Sequence, residues 1–186
     1  SNCLFNPSYA IMAPSSYPVG FPLLLAPVVA LFGADILSIK YFLGIVVILY
    51  GLGSYSFFRL FLSRAISLML VIVFIFNPWM IYSKAFILSD IPLAFITIIY
   101  ATCAHRFFEN GDKGWIVPVV LLGTFGMLIK TVALVFPIAL LGFGLVATFK
   151  RKSPRILKAT VFTAVSMVLL YYLVNIAIQG SLGPES

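Results

Sequence analysis

Between residues 41 and 58 the chain carries no charged side chain, and uncharged, apolar runs recur at 65–82, 91–104, 115–129, 131–149 and 159–178. A helix rises about 1.5 Å per residue, so roughly 20 apolar residues cross the ~30 Å hydrocarbon core of a bilayer. A soluble domain of 186 residues cannot hide six such segments, because folding leaves a large fraction of a small domain's surface exposed. Composition agrees: apolar residues make up 62% and charged residues 9%, against about 25% charged in ordinary globular chains. The sequence predicts an all-α, polytopic transmembrane helical bundle, read as one domain over 1–186, with about six spans.

Two segments need separate treatment. The run 115–149 is too long for one span, and Lys130 interrupts it. Dividing it there gives two helices and leaves the basic group from Lys150 to Lys158 on the same side as Arg59, Arg64, Arg106 and Lys113. Positively charged loops favour the cytoplasmic side. This topology puts nine basic residues inside, with Lys40, Lys84 and Lys130 outside. Both ends of the chain are then extracytoplasmic, which calls for a further span upstream of Ser1. Residues 21–32 are too short to span and are interrupted by Pro22 and Pro27, so an interfacial or re-entrant helix on the outer face is expected. In 65–82, Asn77-Pro78 frays the end. The short run 91–104 is extended by Arg106, which snorkels.

The net charge of +7 does not indicate nucleic acid, because the basic residues sit at the ends of apolar runs. Cys3 and Cys103 have no metal-ligand spacing and read as inert thiols. There is no Ser/His/Asp set, no metal cluster and no phosphate-cradling glycine motif, and no cofactor is called for.

Few charges remain as candidates for chemistry. Asp35 is expected to cap a helix beginning near Ile36, and Glu109 and Asp112 belong to a turn. Asp90 precedes Ile91-Pro92 at the outer mouth of a membrane helix, as either cap or site. Lys130, between two apolar stretches, needs water, a partner or an anionic ligand. Snorkelling at a hairpin and contact with a phosphate both answer that need. Lys84 either shares this outer surface or pairs with Asp90. Tyr17-Pro18-Val19-Gly20 combines a rigid turn with a permissive glycine, so backbone can approach a ligand there. A simple turn accounts for it equally. His105 reads as a boundary residue.

Three segments resemble a known family. Tyr17-Pro18-Val19-Gly20-Phe21-Pro22-Leu23-Leu24-Leu25-Ala26, running to Leu31-Phe32-Gly33, resembles the Y-P-P-G-x-P-L-L-x-A…F-G segment of GT-C superfamily membrane glycosyltransferases. More narrowly, it looks like the bacterial branch related to protein mannosyltransferases and the lipid A aminoarabinose transferase. Asn77-Pro78-Trp79…Ser89-Asp90-Ile91-Pro92-Leu93 is similar to that branch's N-P…S-D-x-P-L stretch. Gly123-Thr124-Phe125-Gly126-Met127-Leu128-Ile129-Lys130, followed by Pro137, is similar to its G-x-x-G-x-x-x-K…P segment. The three occur in the family's order over most of the chain.

The resemblance implies transfer of a sugar from a polyprenyl-phosphate donor to an acceptor glycan, lipid or protein at the extracytoplasmic face of a bacterial cytoplasmic membrane. Lys130 matches the family's basic residue after the fifth span, and Asp90 the acid opening the fourth. The family's general base is a carboxylate in the first external loop. Residues 1–16 contain no Asp or Glu, so the resemblance puts that base upstream of Ser1 and leaves this stretch alone inactive. The alternatives are a small-molecule or lipid transporter or flippase, with broken helices around Lys130 and Asp90 lining a path, and a non-catalytic scaffold. A transporter calls for two related halves, and no internal repeat is visible. A scaffold needs neither charged residue.

Overall fold

The computed structural model describes residues 19–78, 80, 82, 87–110, 113–151 and 154–181. Seven α-helices are delimited within the described residues, in order: α1 (Gly20–Phe32), α2 (Ile36–Phe58), α3 (Arg64–Ile75), α4 (Asp90–Asn110), α5 (Ile116–Ile129), α6 (Val135–Arg151) and α7 (Pro154–Ser181). Short 3₁₀ turns at Lys113–Trp115 and Thr131–Leu134 lead into α5 and α6.

Proline positions explain where several helices begin. Pro22, Pro92, Pro118 and Pro137 are each the third residue of their helix, and Pro154 is the first residue of α7. N–H groups in the first turn have no intrahelical acceptor, so a proline there sacrifices nothing. Pro137 also explains why α6 is entered through a 3₁₀ turn: in a regular α-helix its ring would press on the carbonyl of Ala133. Pro22 therefore starts α1 rather than interrupting it, and α1 runs unbroken through Pro27. At the start of α2, the Asp35 carboxylate accepts from both the backbone N–H and the hydroxyl of Ser38 at 2.9 Å. These bonds, the backbone one foremost, hold its pKa below the ordinary carboxylate value.

On α2, Leu43, Val46, Tyr50 and Ser54 face inward at helical spacing, while the outward face shows Tyr41, Ile45, Ile48 and Leu52. A helix apolar on both faces belongs in lipid. Among the described residues, four segments are long and apolar enough to cross a membrane: Ile36–Phe58, Asp90–Glu109, Thr131–Lys150 and Pro154–Ile178. The chain is an all-α membrane bundle. Threonine hydroxyls inside it bond to their own helices, as in Thr97 to the Leu93 carbonyl and Thr163 to the Ala159 carbonyl, both at 2.7 Å. Where no water is available to satisfy them, that is how such groups are tolerated.

The core lies among α4, α5, α6 and α7, with Tyr100, Met127, Ile129, Phe136 and Met167 at its centre. Tyr100 stacks on Phe136 at 4.6 Å and donates its hydroxyl to the Phe136 carbonyl at 3.0 Å. Thr124 donates to the Met167 carbonyl at 3.2 Å, joining α5 to α7. Gly144 allows α6 and α7 to approach: a Cβ there would lie 2.5–2.8 Å from Thr160 side-chain atoms. Close approach at small residues is a main source of helix association in lipid. Gly144→Ala is expected to destabilise the bundle by about 1–3 kcal/mol. Thr160→Ala, which removes the two nearest atoms, should restore part of that in the double variant. Thermal unfolding in detergent measures both, and a neutral Gly144→Ala would remove this contact from the account.

Helices α2, α4 and α6 run the same way, and α5 and α7 run opposite. Phe57, Phe61, His105, Glu109 and Lys150 consequently meet at one end, here called the far end. The starts of α1 and α4 and the α5–α6 break lie at the other, near end. Arg59, Arg64, Arg106, Lys150, Arg155 and Lys158 stand at the far end, where Glu109 is the one acid among the described residues.

Candidate functional site

Lys130 is where α5 stops. Its backbone is extended, at φ −155° and ψ 131°, its N–H still closes the last turn onto the Gly126 carbonyl, and its own carbonyl accepts from Ala133. The side chain thus projects from a break at the near end rather than from the wall of a helix.

There it meets Asp90, the first residue of α4. Lys130 Nζ lies 2.6 Å from Asp90 Oδ1, with the two side chains 40% and 26% exposed. A fully exposed pair contributes about 0.2–1 kcal/mol, and a sealed one couples more strongly but at a large desolvation cost. This pair lies between those limits, so an anionic ligand that offers Lys130 better contacts can compete with the carboxylate.

Three helix N-termini surround this end: α1 at Gly20, α4 at Asp90 and α6 at Val135. Those of α1 and α4 present N–H groups without intrahelical acceptors and a partial positive charge, while the N–H of Val135 is taken by the Val132 and Ala133 carbonyls of the preceding 3₁₀ turn. Gly20 is buried against α5, where a Cβ would lie 2.5 Å from the Leu128 carbonyl carbon and 2.7 Å from the Ile129 nitrogen. The close approach made by this glycine is therefore backbone to backbone. Ile87, just before α4, has φ 55°, a costly conformation for a β-branched residue. Such strain often accompanies segments fixed by function.

Of the residues singled out from sequence, Gly20, Asp90 and Lys130 come together at the near end. Tyr17 and Lys84 lie outside the described residues. Sequence alone does not place Asp90 and Lys130 on one surface; the break after Ile129 and the start at Asp90 bring them together. It also gave no sign of an apolar groove of about 630 Å³ between α4 and α6, whose polar lining includes His105, Glu109 and Lys150. His105 and Glu109 face each other at 3.4 Å on the last turns of α4.

Fold and site together define a polytopic helical membrane protein with a half-exposed ammonium–carboxylate pair among helix N-termini at one end. The sequence model of the dolichyl-phosphate-mannose-protein mannosyltransferase family matches residues 16–178. The chain belongs to that family, and so to the membrane glycosyltransferases of mannosyltransferase type. No curated protein and no solved structure matches it.

Proposed function

We propose that this protein takes part in transferring a sugar, with mannose as the first candidate, from a polyprenyl-phosphate donor to an acceptor at the extracytoplasmic face of a bacterial cytoplasmic membrane. The observation that carries this reading is the half-exposed Lys130 ammonium, held by Asp90 at an end where three helix N-termini converge. That end suits a phosphate: it offers a point charge, oriented N–H groups and no sealed-in anion. In the reaction the acceptor oxygen attacks the anomeric carbon from the face opposite the phosphate. The bond from that carbon to the phosphate oxygen breaks with inversion, and the hydroxyl proton passes to a carboxylate base. Negative charge grows on the departing polyprenyl phosphate. Lys130 stabilises that charge, and Asp90 positions Lys130.

The three family-like segments favour the bacterial branch and a cell-envelope acceptor. In this reading the bundle has six spans, α3 and α5 being short ones, with α1 at the outer interface and the basic far end facing the cytoplasm.

The test is donor choice by the intact protein in nanodiscs. Radiolabelled mannose should move to acceptor from polyprenyl-phosphate-mannose and not from a nucleotide-linked mannose. Equal use of the nucleotide sugar would sink the donor assignment. Movement of polyprenyl phosphate between leaflets of a proteoliposome, without sugar transfer, would instead favour the flippase alternative, whose structural support is the broken helix at Lys130.

A further inference from the structure

We propose that the groove between α4 and α6 holds an acyl chain of an anionic phospholipid whose headgroup rests on Lys150 at the far end. Only the choice of a phospholipid over polyprenyl phosphate rests on the donor reading.

The groove begins near Thr97 and Val135 and ends near Glu109 and Lys150. At 1.5 Å per residue those helix segments are about 18–22 Å long, enough for one chain reaching through half of a ~30 Å hydrocarbon core. Spread over that length, its 630 Å³ corresponds to a cross-section of about 30 Å², against roughly 80 Å² for a helix about 10 Å across. A groove of that size suits a hydrocarbon chain better than a whole helix. The walls are almost entirely apolar, with aromatic faces from Phe57, Tyr100, Phe136 and Phe143.

Charge selects the headgroup. The charged side chains lining the groove, Glu109 and Lys150, and its one imidazole, His105, all lie towards the far end. Glu109 faces His105, while Lys150 is exposed and makes no ion pair with another described residue. Arg106, Arg155 and Lys158 are exposed on neighbouring turns. A zwitterionic headgroup brings its own cation into this field and gains little, whereas an anionic one brings charge that the surface lacks. The polyprenyl phosphate of the proposed reaction would have its charge at Lys130, at the opposite end of the bundle, so the groove's cation points to a different lipid.

The experiment uses the intact protein in phosphatidylcholine nanodiscs carrying a trace of either phosphatidylglycerol or phosphatidylcholine with a photoactivatable acyl chain. Cross-linked peptides are then mapped by mass spectrometry. The phosphatidylglycerol probe should label the groove faces of α4 and α6 several-fold more than the phosphatidylcholine probe. Lys150→Glu should bring the two to the same level. Ala139→Trp, at an exposed groove-lining position, should abolish groove labelling by both probes with unfolding temperature unchanged. Equal labelling in the unmodified protein overturns the proposal, as does a Lys150→Glu variant that keeps the preference. Displacement of the label by stoichiometric polyprenyl phosphate also overturns it, by giving the groove to the donor.

Discussion

Lys130→Met is expected to lower sugar transfer from a polyprenyl-phosphate donor by about 10²–10³-fold, the size typical of losing one preorganised group that stabilises developing negative charge. Its effect on folding should be much smaller. The pair it breaks is partly solvated, with Lys130 Nζ at 2.6 Å from Asp90, and the charge left on Asp90 sits in the first turn of α4, where the helix end favours an anion. A destabilisation on the order of 1 kcal/mol is the most such a site should show. The double variant Asp90→Asn/Lys130→Met separates the two roles available to the lysine. If Lys130 stabilises the departing phosphate, removing Asp90 as well cannot restore transfer, and the double variant stays as slow as Lys130→Met. If Lys130 only neutralises Asp90, the double variant recovers, because the uncompensated carboxylate is gone. Asp90→Asn alone should lose less than Lys130→Met, since the ammonium remains but is no longer positioned. Transfer rates of the four proteins, with unfolding temperatures measured in parallel, decide between these readings.

Much of this architecture can be read from the sequence because the physics that fixes it is local. The break in 115–149 follows from Lys130, and the cap of α2 follows from Asp35. The helix starts follow from prolines placed where no N–H is needed. Pro22, which reads as an interruption of the run 21–32, instead stands in the first turn of its helix, and the α4 start at Asp90 carries Pro92 in the same position. Pro27, with no such position, is tolerated inside α1, and nothing local announces that. What could not be read is which helix faces meet. Apolar residues cover both faces of α2, so periodicity does not separate a lipid-facing Ile45 from a core-facing Val46. The same uniformity hides the stacking of Tyr100 on Phe136, the gap left between α4 and α6, and the meeting of Asp90 with Lys130 across 40 residues of chain. Glycine positions were the nearest clue to packing, since Gly20, Gly123 and Gly144 each mark a place where another helix or its side chain comes close.

Gly20→Leu is expected to damage stability and site together, which is how it differs from Lys130→Met. A Cβ at position 20 would lie 2.5 Å from the Leu128 carbonyl carbon and 2.7 Å from the Leu128 oxygen and the Ile129 nitrogen. These are backbone atoms, so no side-chain rotation relieves the clash. The α5 backbone cannot easily yield, because Met127, Leu128 and Ile129 are themselves buried in the core. The strain must therefore lift α1 away from α5. Overpacking of this kind costs about 1–3 kcal/mol, or roughly 2–10 °C in unfolding temperature for a chain of this size. Lys130 follows Ile129 directly, so a displaced α1 also disturbs the ammonium's surroundings, and donor binding should weaken in parallel. Gly142→Ala is the matched control: nothing lies within 4 Å of a Cβ there, and replacing an interior helical glycine with alanine favours the helix by roughly 0.5–1 kcal/mol. That variant should unfold at the same temperature or higher. If Gly20→Leu unfolds no earlier than the Gly142→Ala control, then α1 does not lean on α5 at this point, and Gly20 loses its place beside the site.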